Sequence, residues 1–455
     1  MLNKCLLIAP SEKGREFPRG MLSIASFLNK NNIEVEVLII SYDFAKEDNS
    51  RFKQRIHLTV ESKIKDFNPD FIGVSNTFTR NYCICLDILE SCKKTNPEVK
   101  TAIGGQHVTF LDSCVLKESK AIDFIIRGEG EWTMLELMRT LPQEKGLDNV
   151  DGISFRRGRR IIRNRQRNLG NLLDLPPLDF NMLPVDFIKR AYICNLLVRG
   201  CSFNCSFCSD ISFWRHKVRL HPIEQLLDEI EILFKKYGKM AMQIEDSMLN
   251  MSCKYFYDFC SGFYKRKSGL NISPGLSIYT RIDTVTDKGL KMLRKSGINK
   301  LSIGIENGSE KVLKMMNKGI IIKQIVSNLK NIKKYKFDVE SHWIFGHPGD
   351  SPTEAQKTLD FIKFLFDEEL IGSASVWKFL PFPGCKFFHQ PQKYGVEILS
   401  FDWSKWAHST DEHLCQLKDF SAEGIQGFYE KAKAVSRAYT IADRYKEDKS
   451  FSLNH

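Results

Sequence analysis

The sequence has no uninterrupted apolar run approaching the roughly 18 to 20 residues that a helix needs to cross a bilayer, which argues against a membrane span. Its opening residues, MLNKCLLIAPSEKG, hold an apolar stretch too short, and too soon followed by charge, for a secretory signal. Glycine and proline, 28 and 15 in 455 residues, are too few for a collagen or a disordered tract. What remains is globular composition, 42% hydrophobic, 27% charged and 11% aromatic, with enough chain for two or three domains. A cytoplasmic protein is expected.

Thirteen cysteines then need an explanation, because structural disulfides are rare in a reducing compartment and close cysteine spacing points to metal or catalysis. Cys194, Cys201, Cys205 and Cys208 crowd into fifteen residues, while Cys5, Cys83, Cys85, Cys92, Cys114, Cys253, Cys260, Cys385 and Cys415 are scattered and read as small buried hydrophobes. The formal charge of +12 suits an anionic cofactor, nucleic acid or acidic peptide and carries no information about fold.

Residues 3–9, 33–41, 70–75, 99–104 and 122–127 are short β-rich apolar runs separated by helical patterns such as Met21–Asn29 and Leu86–Lys94. Strands alternating with helices predict a doubly wound parallel sheet, whose ligand loops follow the carboxyl ends of its strands, here APSEKGREFPRG, SNTFTRN, GGQHV and GEGE. This first domain is assigned residues 1–140. A hairpin and linker fill 141–190, with Gly158 at the turn and seven arginines between Arg156 and Arg167. With no interleaved aromatic platform, the arginines read as a solvated hairpin rather than a nucleic-acid groove. A second alternation, with strands near 192–199, 240–245, 275–281, 300–306, 339–346 and 373–380, predicts a partial barrel of six βα units over 191–385. Residues 386–455 form an aromatic, mostly helical tail without recognisable repeats.

The first barrel strand runs into RGCSFNCSFCSD, so Cys201, Cys205 and Cys208 form C-x3-C-x2-C, with Phe207 before the third cysteine. Three thiolates on one short loop can hold three irons of a 4Fe-4S cubane and leave the fourth open, whereas zinc wants a fourth protein ligand. Cys194 falls outside the spacing.

With this motif the chain resembles the radical S-adenosylmethionine (SAM) enzymes. The resemblance implies that the open iron is chelated by the amino and carboxylate groups of SAM, whose reductive cleavage gives a 5′-deoxyadenosyl radical. Other strand ends match the family in order: QIEDSML, with Asp246 preferred over Glu245 near the SAM amino group; IYTRID, with Arg281 at a position that pairs the SAM carboxylate; SIGIENGS, with Glu306 reaching the ribose hydroxyls or amino group; then IFGHPGDS and LPFPG. Phe207 joins Asp246, Arg281 and Glu306 as a SAM contact.

The N-terminal segment resembles the cobalamin-binding domain of a large branch of that family, through FPRGMLSIASFL, NPDFIGVSNTF, AIGGQHVTF and DFIIRGEGE. Ser75, Gly104, Gly105 and His107 are the implied cobalamin contacts. The D-x-H-x-x-G motif that supplies an axial histidine elsewhere is absent, so cobalt is expected to lack a protein imidazole; a structural role or a tail contact is expected of His107. The resemblance implies methyl transfer to an unactivated carbon of a small-molecule or peptide substrate, with electrons from a flavodoxin- or ferredoxin-type donor. The alternative is a cyclase, ring-contracting enzyme or oxidase with the same cofactors. A tRNA methylthiotransferase would need three widely spaced N-terminal cysteines that Cys5, Cys83, Cys85, Cys92 and Cys114 do not provide; a non-enzymatic cofactor-binding module would not need the SAM motifs at four strand ends.

Overall fold

The computed structural model describes residues 2–43, 49–143, 145–195, 197–238, 242–267, 276–407 and 410–452. Its chain divides into two compact units, one of residues 1–195 with 212–215 and 219–239, the other of residues 196–211, 216–218 and 240–455.

The first unit is built on β1 (Lys4–Glu12), β2 (Glu34–Tyr42), β3 (Phe71–Ser75), β4 (Lys100–Gly104), β5 (Phe124–Ile126), β6 (Ile153–Arg157) and β7 (Arg160–Arg163), in the order β2-β1-β3-β4-β5-β6-β7. The first five are parallel. β1 is covered on both faces and reads as a continuous apolar run, while its neighbour β2, at the sheet edge, is mostly half-buried. Because β2 and β3 flank β1, the strand order reverses there, and the crevice at the carboxyl ends of β1 and β3 is where sheets of this type take a ligand. The helices Arg19–Lys30 and Tyr82–Thr95 extend the patterns seen in the sequence.

Helix Asn49–Phe67 stands between β2 and β3, where the alternation calls for a helix; Phe52, Ile56, Val60 and Ile64 recur every fourth residue and are buried. The hairpin departs from expectation in being part of the sheet rather than an appendage. β6 pairs antiparallel with β5, buries Ile153, Ser154 and Phe155, and continues the sheet past residue 140. Five of its seven arginines have partners: Arg156 donates to the carbonyls of Leu116, Ser119 and Ile122, while Arg157, Arg163, Arg165 and Arg167 pair with Asp148, Asp112, Asp151 and Glu136; Arg159 and Arg160 are exposed to solvent, as expected.

β8 (Cys194–Asn195) opens the second sheet, the short β9 (Val198–Arg199) and β10 (Arg219–Leu220) lie outside it, and β11 (Met242–Leu249), β12 (Leu276–Thr280), β13 (Lys300–Glu306), β14 (Asp338–Phe345) and β15 (Ser373–Lys378) follow. The six-stranded order is β15-β14-β13-β12-β11-β8. Within it β11 to β15 run parallel, alternating with helices Lys254–Arg266, Asp287–Lys295, Ile322–Lys334 and Pro352–Asp367. Ser309 and Ser351 cap two helices by accepting from the N–H groups of Val312 and Glu354. Alternate residues of β13, Leu301, Ile303 and Ile305, are buried apolar side chains of one face; Ser302, Gly304 and Glu306 share the other, as the two-residue repeat of a strand requires. The tail adds an antiparallel pair, β16 (Val396–Ile398) with β17 (Cys415–Leu417), before helix Ala422–Ser452, fastened to β15 by a hydrogen bond from Ser436 Oγ to the Ala374 carbonyl. Among the described residues no helix is long and apolar enough to cross a membrane.

Candidate functional site

The cysteine loop leaves β9 through Gly200, at φ +98°, a left-handed angle that glycine takes without strain. It is anchored at its centre. Ser206 donates through its N–H to the Met316 carbonyl at 2.9 Å and through Oγ to the Met315 carbonyl at 2.9 Å, and Asn317 Nδ2 reaches the Asn204 carbonyl at 2.7 Å. A turn, Cys208 N–H to the Cys205 carbonyl at 3.2 Å, brings the second and third cysteines to one side.

Cys201 and Cys205 are buried and Cys208 half-buried. Burial raises the Cys201 and Cys208 thiols above their ordinary value; for Cys208, Asp210 and the other two cysteines push the same way. Three thiolates so placed repel one another unless a cation neutralises them, which fits a metal-bound donor set. Among the described residues no three His, Cys, Asp or Glu side chains converge tightly enough to hold a single ion. A cubane makes no such demand, since each thiolate takes its own iron at a separate corner.

Arg281, at the end of β12, is the electrostatic centre of the site. Its Nη1 donates to Cys205 Sγ at 3.3 Å, its Nε and Nη2 hold both Asp283 oxygens at 2.9 Å, and Nη2 also reaches the Lys318 carbonyl. The guanidinium lies 3.6 Å from the centre of the Phe203 ring. Glu306, at the end of β13, has φ +72°, a costly angle for a residue with a side chain, and the pairing of β13 with β14 slips there. Its Oε1 accepts from Lys318 Nζ at 2.6 Å, with both side chains buried. A Cβ on Gly304 would stand 2.3 Å from that oxygen, so the carboxylate, as placed, folds back into space that a side chain at 304 would otherwise take.

Sequence reasoning named Cys201, Cys205, Cys208, Phe207, Arg281 and Glu306. Arg281 is brought to Cys205, and Phe207 stands 5.9 Å from the Lys318 ammonium that binds Glu306. Asp246 lies on β11, with its side chain outside the described residues. Lys318 and Phe203 were missed; Phe203 inside the cysteine motif was the available signal. Also missed was a polar row on one face of the barrel strands. Glu340 accepts from Ser375 Oγ at 2.8 Å and Ser302 Oγ at 3.2 Å, and the His342 ring lies 5.0 Å from that of Tyr279. The alternation in DVESHW was its signal.

At the carboxyl ends of the first sheet, Ser75 and Gly104 are register partners. Gly105 has φ +131°, and a Cβ there would meet the Asn76 carbonyl oxygen at 2.0 Å, so its glycine character answers to the neighbouring chain. His107 is 1% exposed and packs 4.7 Å from the Tyr82 ring; burial lowers its pKa to about 3, keeping it neutral. Next to them Arg80 bridges Glu12 at 2.9 Å and Glu16, closing the loops that follow β1 and β3. Of the nine scattered cysteines, Cys5, Cys85, Cys92, Cys260, Cys385 and Cys415 are buried with thiols raised by burial, as expected, whereas Cys83 and Cys253 are half-buried and Cys114 is exposed on a helix surface, so these three are not core hydrophobes.

Residues 195–362 match the radical SAM superfamily and residues 7–138 the B12 binding domain, and the chain belongs to the radical SAM enzymes that carry a B12-binding domain. It is 29% identical over 373 residues to an uncharacterized methyltransferase of Pyrococcus horikoshii, covering 81% of this chain and 79% of that one. It is 29% identical over 360 residues to the anaerobic magnesium-protoporphyrin IX monomethyl ester cyclase of Rubrivivax gelatinosus, covering 76% of this chain and 62% of the relative, so it spans about three fifths of that enzyme. Among solved structures, the radical SAM methyltransferase TsrM of Kitasatospora setae, with cobalamin and a [4Fe-4S] cluster bound, aligns over 96% of this chain and 89% of its own, with TM-score 0.74 and 15% identity. The cobalamin-dependent radical enzyme OxsB aligns over 86% and 56%, with TM-score 0.66 and 19% identity. At such identities these two establish the shared fold, which is the α/β architecture expected from the sequence.

Proposed function

We propose that this enzyme is a cobalamin-dependent methyltransferase that acts on an unactivated carbon of a small-molecule or peptide substrate. The observation that carries the reading is the pairing, in one chain, of an Arg281-braced three-cysteine loop with a B12-binding sheet whose first ligand loop contains no histidine. Bound to these sites, a 4Fe-4S cluster with SAM would supply reductive cleavage of a sulfonium, and cobalamin a carrier for the methyl group.

Cys201, Cys205 and Cys208 would hold the cluster, and Arg281 would stabilise sulfur charge at Cys205 by a charge-assisted hydrogen bond. Glu306, fixed by Lys318, would present a carboxylate to the ribose hydroxyls of SAM, and Phe207 and Asp246 would complete the SAM contacts. Ser75, Gly104, Gly105 and His107 are the proposed cobalamin edge, with His107 in a supporting role because its neutral ring is buried against Tyr82. Electrons would come from an external flavodoxin- or ferredoxin-type donor. Cytoplasmic placement belongs to the same proposal, as does the assignment of residues 1–140, 141–190, 191–385 and 386–455 as cobalamin domain, linker, barrel and tail, with the first domain extended through the hairpin strands to residue 163 because they complete its sheet.

The cyclase relative supports a second reading, radical ring formation or oxidation without net methyl transfer. Counting the two products of SAM separates them. A methyltransferase releases S-adenosylhomocysteine and 5′-deoxyadenosine in about equal amounts per turnover; 5′-deoxyadenosine alone would refute the proposal.

A further inference from the structure

The chain that follows β13 reaches back to the cysteine loop. Helix Glu310–Met315 ends in the residues whose carbonyls hold Ser206, Met315 through Oγ and Met316 through the N–H, both at 2.9 Å. Asn317 binds the Asn204 carbonyl at 2.7 Å. Ser206 stands between Cys205 and Cys208, so this helix end lies directly against the backbone of the cysteine loop. Its outer face is open. Lys311, Lys314, Met315 and Asn317 are all exposed, Met315 by 45%, and so is Asn204 on the loop itself. Lys311, Lys314 and Met315 recur at i, i+3 and i+4, which places them on one side of the helix.

Charge gives this face a sign. Lys323 joins it at the start of helix Ile322–Lys334, where the Ile322 N–H donates to Glu310 Oε1 at 2.9 Å. Among the described residues Lys311, Lys314 and Lys323 form no ion pair, and the carboxylate exposed beside them is that of Glu310. The charged groups packed behind cancel in pairs: Lys318 with Glu306 at 2.6 Å, Arg281 with Asp283 at 2.9 Å and Lys357 with Glu354 at 3.0 Å, while Asp350 is buried. Beyond the cysteine loop Asp210 is half-buried and Lys217 exposed, which leaves the sign positive. An apolar centre with a cationic rim suits an acidic protein. Electron-transfer encounters use small interfaces of this kind, in which complementary charge supplies orientation and on-rate. A nucleic acid would look for a ring on which to stack a base, and the exposed side chains here are lysine, methionine and asparagine.

We propose that Lys311, Lys314, Met315 and Lys323 form the docking surface of the electron donor, an acidic carrier protein that delivers its electron across the 204–206 backbone. The inference rests on the reading of the cysteine loop as the holder of a 4Fe-4S cluster. The step at this surface moves one electron and no atoms. The carrier is oxidised by one electron and the cluster reduced by one; that electron then passes to the sulfonium of SAM, whose C5′–S bond breaks to give methionine and the 5′-deoxyadenosyl radical.

The probes are a bacterial flavodoxin and a bacterial ferredoxin, both of net negative charge, fluorescently labelled and titrated anaerobically against the cluster-loaded protein. At least one should bind, with an affinity that falls as salt is raised. Lys311→Glu with Lys314→Glu should weaken that binding about tenfold. Lys117→Glu with Lys120→Glu, the same change of charge at exposed lysines of the first unit, should leave it as it was. A second readout uses SAM cleavage. Release of 5′-deoxyadenosine driven by the carrier, below saturation, should fall with the binding, while release driven by dithionite, which docks nowhere, stays at the wild-type rate. Cluster absorbance and thermal transition report folding, and Lys311→Ser with Lys314→Ser is the milder pair should the reversal disturb it. Several results overturn the proposal: neither carrier binding, binding indifferent to salt or to the 311 and 314 variants, an equal loss in the 117 and 120 variant, carrier-driven and dithionite-driven cleavage falling together, or a labelled single-stranded oligonucleotide binding this face more tightly than either carrier. A protein that takes up no cluster refutes the reading on which the inference rests; a loaded protein that gives any of these results refutes the inference alone.

Discussion

Replacing Gly105 by alanine should be far more damaging than replacing its neighbour Gly104. A Cβ at Gly105 would stand 2.0 Å from the Asn76 carbonyl oxygen and 2.6 Å from the Asn76 carbonyl carbon, both backbone atoms that cannot rotate away. Its φ of +131° with ψ 178° is a conformation essentially reserved for glycine, costing another residue about 1–3 kcal/mol. Relief of the clash by backbone movement adds about 1–3 kcal/mol. The sum, roughly 2–6 kcal/mol, is a large part of the ~5–15 kcal/mol that holds a typical domain together. At Gly104 the nearest atom to a Cβ is the Ile126 Cβ at 3.4 Å, an ordinary contact, and no left-handed angle is involved. Calorimetry of the paired variants should show the Gly105→Ala transition lowered on the order of 10 °C, and Gly104→Ala nearly unmoved. Cobalamin retention should fall in parallel, since the 104–105 turn lies at the proposed cobalamin edge. Equal stabilities in the two variants would refute the reasoning.

Other outcomes follow from the same geometry. Arg281→Ala leaves Asp283 without its bidentate partner and Cys205 without its donor, and should cost about 3–5 kcal/mol together with loss of cluster content on reconstitution, measured as iron and sulfide per chain. Burial raises the Asp350 carboxyl from 3.8 to about 6, so between those values the folded chain keeps a proton that the unfolded chain has lost. That contribution therefore favours folding at low pH and is withdrawn as pH rises through 6, by up to ~3 kcal/mol; denaturant midpoints at pH 4 and 7 should converge in Asp350→Asn relative to wild type. Cys194→Ala should bind the same cluster as wild type, whereas the triple alanine variant of Cys201, Cys205 and Cys208 should show no cluster absorbance and no SAM cleavage. Protein-bound cob(II)alamin should lack nitrogen superhyperfine splitting in its EPR spectrum; splitting that disappears in His107→Ala would contradict the placement of that ring.

Much of this was legible in residues alone, and the physical reason is periodicity. The five parallel strands of the first sheet and β11 to β15 are short runs of β-branched and apolar residues, bounded by turn residues, and the structure places each within a few residues of the sequence reading. The cysteine loop was legible because three ligands lie on one local segment. Less legible were contacts set by three-dimensional approach. Lys318 meets Glu306 from 12 residues away, across a strained turn that no local pattern announces. The glycine requirement at 105 comes from residue 76. The arginine-rich hairpin was half legible: Arg157, Arg159 and Arg160 are exposed as their charge suggested, while the pairing of β6 with β5 and the partners of Arg156 and Arg163, the Leu116 carbonyl and Asp112, come from distant elements.

The most direct test of methyl transfer uses SAM with a deuterated methyl group, under anaerobic reduction, with cobalamin and the substrate present. The account predicts that the product gains the intact labelled methyl while S-adenosylhomocysteine and 5′-deoxyadenosine accumulate together. Turnover that yields 5′-deoxyadenosine and a product free of deuterium would contradict it and leave the cyclase or oxidase reading in its place.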